Sequence, residues 1–328
     1  MAASSAGDRG DPVPYVRILW NTGTIAEWDR LYRLVPFPTL PQCFAYAESL
    51  ALCERVRPRF GLIEADEQPV GIVLIHERRS LGVLSKAELY RGPLWLGEPQ
   101  SGWWPCVLTR IRQAYPGGFG RWLRFLPEAA DKGDGAIQAR MTGAGFRQVG
   151  TGYRTIRLDL RPTLEQLRAS LAANWRSHLK VGERQGLTIE VDREAKSLPW
   201  LLERYQAHKR ALGYNGPSPA LAVRLRNRLR HSDGAFLLRA FAGETEPVAA
   251  ILLLSHGNAA TYLIGWSGPL GRRLQAHTVL LWRGVETLKS IGIGWFDLGG
   301  LHPIAAPGVT AFKRGLGGEE LVLPATWG

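Results

Sequence analysis

The residues best suited to chemistry lie near the end of the chain. The run WFDLGG spans Trp295 to Gly300, and a Pro- and Gly-rich loop leads on to FKRGLGG, Phe312 to Gly318. Asp297 closes an apolar run at a glycine break. Glycine there lets the backbone approach a ligand closely or take a positive φ. Lys313 stands beside Phe312 and is bracketed by glycines, so its ammonium can be aimed at developing negative charge. Asp297 is expected to orient a substrate amine or accept its proton; the blander reading is a strand-end Asp satisfied by backbone N–H groups. For Lys313 and Arg314 the blander reading is an exposed basic pair.

The chemistry that suits this set is aminolysis of an activated acyl group. An amine attacks a carbonyl, charge builds on the oxygen and the leaving group departs. The site must supply positioning, a cation or N–H donors at the oxyanion, and a route for the proton. Neither a metal nor a protein nucleophile is required. Cys43, Cys53 and Cys106 have no metal-ligand spacing, and the seven histidines are scattered. No metal site is expected.

Alternating strands and helices must position these groups. Strands are expected at 15–20, 59–64, 69–77, 81–90 and 121–126, with a crossover strand at 153–160. Helices are expected at 24–34, 42–52 and 102–115. Thr24 with Glu27 and Thr163 with Gln166 are capping boxes. After Thr163 the stripe Leu164, Leu167, Leu171, Trp175, Leu179 predicts one helix ending at Gly186. Arg176 and Lys180 lie beside that stripe. Further helices are expected at 198–212, 219–229 and 272–291, with strands at 188–191, 235–241, 247–255 and 260–265.

The segments Ala65–Ile75 (ADEQPVGIVLI) and Gly243–Leu253 (GETEPVAAILL) align on their Pro-Val pairs. Each is followed by a strand, a glycine-containing loop, a long helix and a Trp-containing strand. The shared order implies a duplicated α/β domain. The expected division is a disordered tail over 1–14, a first domain over 15–155 and a second over 156–328.

These motifs, taken in order, resemble the Fem group of peptidoglycan-bridge aminoacyltransferases and their wider relatives, from about Phe37 to Trp327. The pattern includes Gln42, Phe44 and Tyr46; the Arg-Gly-Pro run at Arg91; NWRSHLKVGER over 174–184; the step from Tyr262 to Gly265; and Phe312-Lys313. The resemblance implies twin acyltransferase (GNAT-like) domains, here of the type lacking a coiled-coil arm. It implies Lys313 and Phe312 as catalytic residues with Asp297, and Arg91, Arg176, Lys180, Tyr262 and Trp266 as substrate contacts. Better-known members carry an Asp shortly after Arg-Gly-Pro, and this sequence has none in Leu94–Gly97.

The formal charge of +12 over 328 residues rests largely on Arg, which favours RNA, phosphorylated carriers or nucleotide-linked substrates. Arg224 and Arg228 are the candidate RNA-backbone contacts. The N-terminal residues do not read as a signal peptide, and the longest apolar run is too short to span a bilayer. A cytoplasmic protein is expected, peripheral at the inner face of the membrane through its partner.

Two function classes follow. In the first, an amino acid passes from aminoacyl-tRNA to the amine of a peptide, a peptidoglycan precursor, with the tRNA as co-substrate and no separate cofactor. In the second, an acyl-CoA donates to a sugar, an exopolysaccharide precursor or a small amine. Acyl-CoA enzymes of this fold cradle pyrophosphate on a patterned Gly loop before a helix. The matching run, Ser267–Arg273 (SGPLGRR), has the glycines but not the pattern, which favours the tRNA donor. A third reading is a basic RNA-binding adaptor on an inactive fold.

Overall fold

The computed structural model describes residues 15–80, 84–100, 102–130, 133–229, 234–243 and 245–328, so the tail expected over 1–14 lies outside the described residues. The first half runs β1 (Val16–Trp20), α1 (Ile25–Leu34), a 3-10 turn (Leu40–Gln42), α2 (Phe44–Glu54), β2 (Arg57–Ala65), β3 (Gln68–Ser80), β4 (Leu84–Gly92), β5 (Leu94–Trp95), α3 (Trp103–Ala114), β6 (Arg121–Pro127), α4 (Ala136–Gly143) and β7 (Gln148–Asp159). A link of α5 (Leu164–Ser170) and α6 (Ala173–Glu183) follows. The order then returns as β8 (Thr188–Asp192), α7 (Leu198–Leu212), α8 (Pro219–Leu229), β9 (Ala235–Phe241), β10 (Ala249–His256), β11 (Ala259–Ser267), α9 (Pro269–Arg273), α10 (Ala276–Ser290), β12 (Trp295–Asp297), α11 (Pro307–Gly315) and β13 (Glu319–Trp327). Apart from the 3-10 turn, β5 and α9, the halves repeat element for element. The duplication read from the Pro-Val segments is therefore the architecture of the whole chain.

The halves share one sheet, in the order β1-β2-β3-β4-β6-β13-β7-β12-β11-β10-β9-β8. Each half's last strand sits with the other half: β13 lies between β6 and β7, and β7 between β13 and β12. The expected boundary at 155/156 falls inside β7. β7 pairs with β13 from Gln148 to Arg157, and its last residues, Arg157–Asp159, also pair with β12.

The core repeats this sharing. Helices α1 and α2 and helices α7 and α8 cover one face together, with Trp28, Tyr32, Leu50, Leu198, Leu202 and Leu225 in a single buried cluster. An ion pair between Glu48 on α2 and Arg228 on α8 spans the same contact. On the other face, α3 and α4 cover the first half around Phe125 and Phe146, while α6 and α10 cover the second around Trp175, Leu280 and Phe296.

Two expected helices are broken. The stripe after Thr163 splits because Leu171 takes an extended conformation (ψ 140°) and the Ala172 N–H bonds Gly315 O at 3.0 Å instead of continuing the helix. Leu167, Leu171, Trp175 and Leu179 are all buried nonetheless, while Leu164, the first residue of the expected stripe, is exposed, so the stripe holds from Leu167 on and the continuity does not. The helix expected at 272–291 splits at Gln275, whose φ of +56° is left-handed. Both capping boxes are present.

Candidate active site

The site is built where the parallel strand pair of the second half comes apart. β11 and β12 pair only at Ala259↔Trp295, Ala260↔Phe296 and Thr261↔Asp297. Beyond that point β11 runs on to Ser267, while Gly299 (φ +70°) and Gly300 turn the chain away. A side chain at Gly299 would also meet Tyr262 O at 3.0 Å, so glycine is required there twice over.

Lys313, on α11, reaches into this gap. Its residue is only 8 % exposed, and its Nζ donates to Gly300 O at 2.9 Å. The ammonium lies 5.5 Å from the centroid of the Tyr262 ring. Burial pulls its pKa down to about 8, against the attraction of Asp297. Tyr262 Oη is 3.1 Å from His277 Nε2, and the His277 ring sits edge-on to Phe312 at 5.5 Å. Burial first, and the Lys313 charge second, hold His277 neutral with a pKa near 4. Phe312 also packs on Trp175 of α6 at 5.9 Å. Lys313, Phe312 and Tyr262 are thus brought together, with His277 as a fourth member.

Asp297 is buried at the end of β12, and both its oxygens are taken. Oδ1 accepts from Thr155 Oγ1 at 2.5 Å and from Gly299 N at 2.7 Å; Oδ2 accepts from Arg91 Nη1 at 2.5 Å. Burial opposes its ionisation, but Arg91 and the hydrogen bonds outweigh it and hold the pKa below the usual carboxylate range. Asp297 therefore anchors the glycine turn.

Arg91 comes from the first half. It has a φ of +54°, at an irregularity in the β4–β6 pairing between Tyr90 and Gly92, and this turns its side chain inward. Its Nε and Nη2 donate to Glu128 at 2.9 and 3.0 Å, while Arg157 donates to the same carboxylate at 2.5 Å. Burial works against the Arg91 charge, yet Asp297 and Glu128 more than restore it and raise the pKa. The buried pairs Arg91–Asp297 and Arg157–Glu128 balance, two positive against two negative. Among the described residues Lys313 is the surplus cation of this junction. Arg91 is therefore placed as the strut between the halves, with three of its five side-chain N–H groups given to Glu128 and Asp297.

Gln42, fully buried, supports the same end of β4 from the side of Tyr90 and Gly92. Its amide accepts from Leu74 N at 2.8 Å and donates to Leu74 O and Tyr90 O at 3.1 and 3.0 Å, bridging β3 and β4 where they part. Next to it, a relay crosses the halves. Tyr32 donates to Thr39 O at 2.9 Å, so in its 2.8 Å contact with His256 Nδ1 the ring is the donor. His256 Nε2 then accepts from Thr261 Oγ1 at 2.8 Å.

The remaining expected residues are placed apart. Tyr262 and Trp266 fall on opposite faces, because a bulge against Leu252 and Leu253 inserts Leu263 and reverses the alternation. Trp266 packs edge-on to Trp200 at 5.5 Å. Arg176 is exposed on α6 and donates at 3.4 Å to Ala169 O and Leu171 O, closing the helix break; Lys180 is exposed on the same helix. Arg224 is exposed on α8, whereas Arg228 is held by Glu48. A cavity of about 330 Å³ lies in the first half, lined by Trp28, Leu31, Phe44, Phe60, Leu62 and Ile72, with none of the groups around Lys313.

Residues 164–314 match the family model described as an acetyltransferase (GNAT) domain. That match takes in less than half of the chain, and the second half has the GNAT-like fold. Because the first half repeats its element order, the chain is a tandem GNAT fold. Solved structures agree along its length. FemX is 15% identical with a TM-score of 0.76, covering 94% of this chain and 96% of that one. The C-terminal domain of a protein named as a lysylphosphatidylglycerol synthetase from Agrobacterium fabrum is 15% identical, TM-score 0.56, covering 93% and 92%. A tandem GNAT protein from the clavulanic acid biosynthesis pathway is 14% identical, TM-score 0.52, covering 95% and 98%. Among curated proteins none matches. The Fem-like resemblance read from the motifs thus holds as a resemblance of fold.

Sequence reasoning missed Glu128, Thr155, Arg157 and His277. The first three carry no local signal. His277 stands at the start of the helix after the Ser267–Arg273 loop, a position where the repeat with α3 offers no histidine.

Proposed function

We propose that the protein transfers an aminoacyl group from aminoacyl-tRNA to the amine of a peptide, a peptidoglycan precursor. The observation that carries this reading is the surplus cation: Lys313 is buried, has no carboxylate bonded to it among the described residues, and stands where the sheet opens. A buried ammonium beside a gap stabilises the oxyanion that forms as the amine attacks the acyl carbonyl. The C–N bond forms as the C–O bond to the tRNA ribose breaks; the amine gives up a proton and the ribose oxygen gains one. Tyr262 and His277, the hydroxyl–imidazole pair beside Lys313, are suited to relay that proton and not to store it, because burial holds both groups neutral. No separate cofactor enters this scheme. The protein would act at the cytoplasmic face, peripheral to the membrane. Among the described residues no helix is long and apolar enough to cross one.

The second reading, an acyl-CoA-dependent N-acyltransferase, is favoured by the GNAT match itself. The Ser267–Arg273 run has the glycines but not the pattern of a pyrophosphate loop, which weighs against it. The N–H groups of Gly268, Arg272, Leu274 and Gln275 are spent on carbonyls of Val248, Gly268, Leu270 and Arg272. The test is a donor assay with labelled aminoacyl-tRNAs or labelled acetyl-CoA, each with muropeptide precursors and simple amines. RNase-sensitive transfer supports the first reading. Transfer from acetyl-CoA alone replaces it with the second.

A further inference from the structure

The turn between α3 and β6 presents an aromatic ring that the fold does not use. Gly118 and Arg121 form an isolated antiparallel bridge, with Arg121 N donating to Gly118 O at 3.1 Å. Phe119 and Gly120 are the two corners, and Gly120 has the left-handed φ of +72° that the second corner of a type II turn needs. Gly120 O accepts from Ser85 N at 2.8 Å, which ties the turn to the start of β4. The turn is therefore held in place, and it carries Phe119 at 104 % relative exposure. A Cβ built on Gly118 meets no atom within 4 Å, so the corner stands clear of the rest of the molecule.

Three residues on, Trp122 is 56 % exposed. Its register with Lys86 puts both on the open face of the sheet. Arg121 and Arg124 are exposed, and neither has a carboxylate or hydrogen-bond partner among the described residues. The nearest acid by register, Glu88 opposite Arg124, is paired with Lys86 at 2.7 Å. Single exposed apolar residues are ordinary. Phe119 on the held turn and Trp122, the second residue of β6, with Arg121 and Arg124 unpaired on opposite faces of that strand, form an interfacial pattern. Aromatic rings suit the headgroup–acyl boundary, and arginines suit anionic headgroups. A stacking platform for single-stranded RNA calls instead for a groove along the backbone, and this corner is convex.

We infer that the Gly118–Arg124 turn anchors the protein to an anionic bilayer surface, with Phe119 and Trp122 entering the interface and Arg121 and Arg124 pairing with lipid phosphates. The turn lies at the opposite ends of β4 and β6 from Arg91 and Pro127. The anchor therefore sets the junction of the two halves roughly 20 Å from the surface, at about 3.3 Å per strand residue. The inference gives a physical basis to the peripheral placement proposed above and does not rest on the acyl-transfer chemistry.

The experiment is vesicle flotation of the full chain, without substrate. Vesicles of phosphatidylcholine with phosphatidylglycerol are compared with phosphatidylcholine alone. The wild type is expected to float with the anionic vesicles, less at high salt, and to show a blue-shifted Trp emission. The double variant Phe119→Ser, Trp122→Ser should lose about tenfold in partitioning. The pair Arg121→Gln, Arg124→Gln should lose about tenfold on anionic vesicles only. All four side chains are exposed, so circular dichroism and Tm should match the wild type. A wild type that stays in solution overturns the inference, as does an aromatic variant that floats like the wild type. If the aromatic variant instead loses affinity for single-stranded RNA while vesicle binding persists, the turn is an RNA platform and the inference is also overturned. Any of these results leaves the donor assay to decide the catalytic reading.

Discussion

The two halves of the molecule use the same parallel strand pair in opposite ways. In the first half β4 and β6 stay paired from Ser85↔Arg121 to Gly92↔Pro127. In the second, β11 and β12 stay paired for three residues and then part. The closed pair ends in Arg91, which crosses to the other half as a strut. The open pair ends in Asp297 and Gly299, which receive the strut and leave a gap for Lys313. One copy of the duplicated unit acts as the support and the other carries the candidate site. The physical difference is small: β12 is three residues long and runs into two glycines, whereas β6 is seven residues long and runs into Pro127.

The largest effect should come from removing the strut. Arg91→Met leaves Asp297 without a cation and Glu128 with Arg157 alone. A buried pair broken on one side costs about 3–5 kcal/mol. Urea unfolding should show that loss, and an unchanged midpoint would mean that the junction does not hold the halves together.

Next is the open half itself. Lys313→Ala should lower acyl transfer by about 10²–10³-fold, the usual cost of an oxyanion donor. Stability should change little, because the substitution also removes a buried charge. An active variant would take Lys313 out of the mechanism. An exposed residue of α4 in the closed half, such as Thr142, should be silent in the same assay.

A third test reads the buried imidazoles that face the open pair. His256 and His277 are held near 3 and 4, below the ordinary value of 6.5. In each case burial dominates. The folded state therefore binds fewer protons than the unfolded one. Stability from this source is complete above about pH 6.5 and falls as pH drops toward 4 and below, by a few kcal/mol in all. Asp297, also depressed, is lost in the same direction. Unfolding free energies across this range should be flatter in His277→Gln, and an equal slope would show that the imidazole is not held neutral.

The smallest effects should come from the exposed arginines. Arg176→Ala and Arg224→Ala should each change stability by about 0.5 kcal/mol or less. If Arg224 touches RNA phosphate, its loss reduces the salt slope of binding by about 1. An unchanged slope removes it from the interface.

By itself, the sequence determined the duplication, most element positions, both capping boxes and the pairing of Phe312 with Lys313. These depend on local patterns: periodicity, caps, and glycine or proline breaks, each written in a few neighbouring residues. It marked Asp297 and Arg91 as important without showing that they bind each other, 206 positions apart. Only the tertiary structure decided that the last strands cross between halves, because pairing partners for β7 and β13 are chosen by sheet edges and not by local sequence. It also decided that Tyr262 and Trp266 part company. A one-residue bulge reverses the alternation and leaves no mark in composition. Glu128, Thr155, Arg157 and His277 entered the site for the same reason: a buried charge or hydroxyl is defined by what surrounds it, and its surroundings come from both ends of the chain.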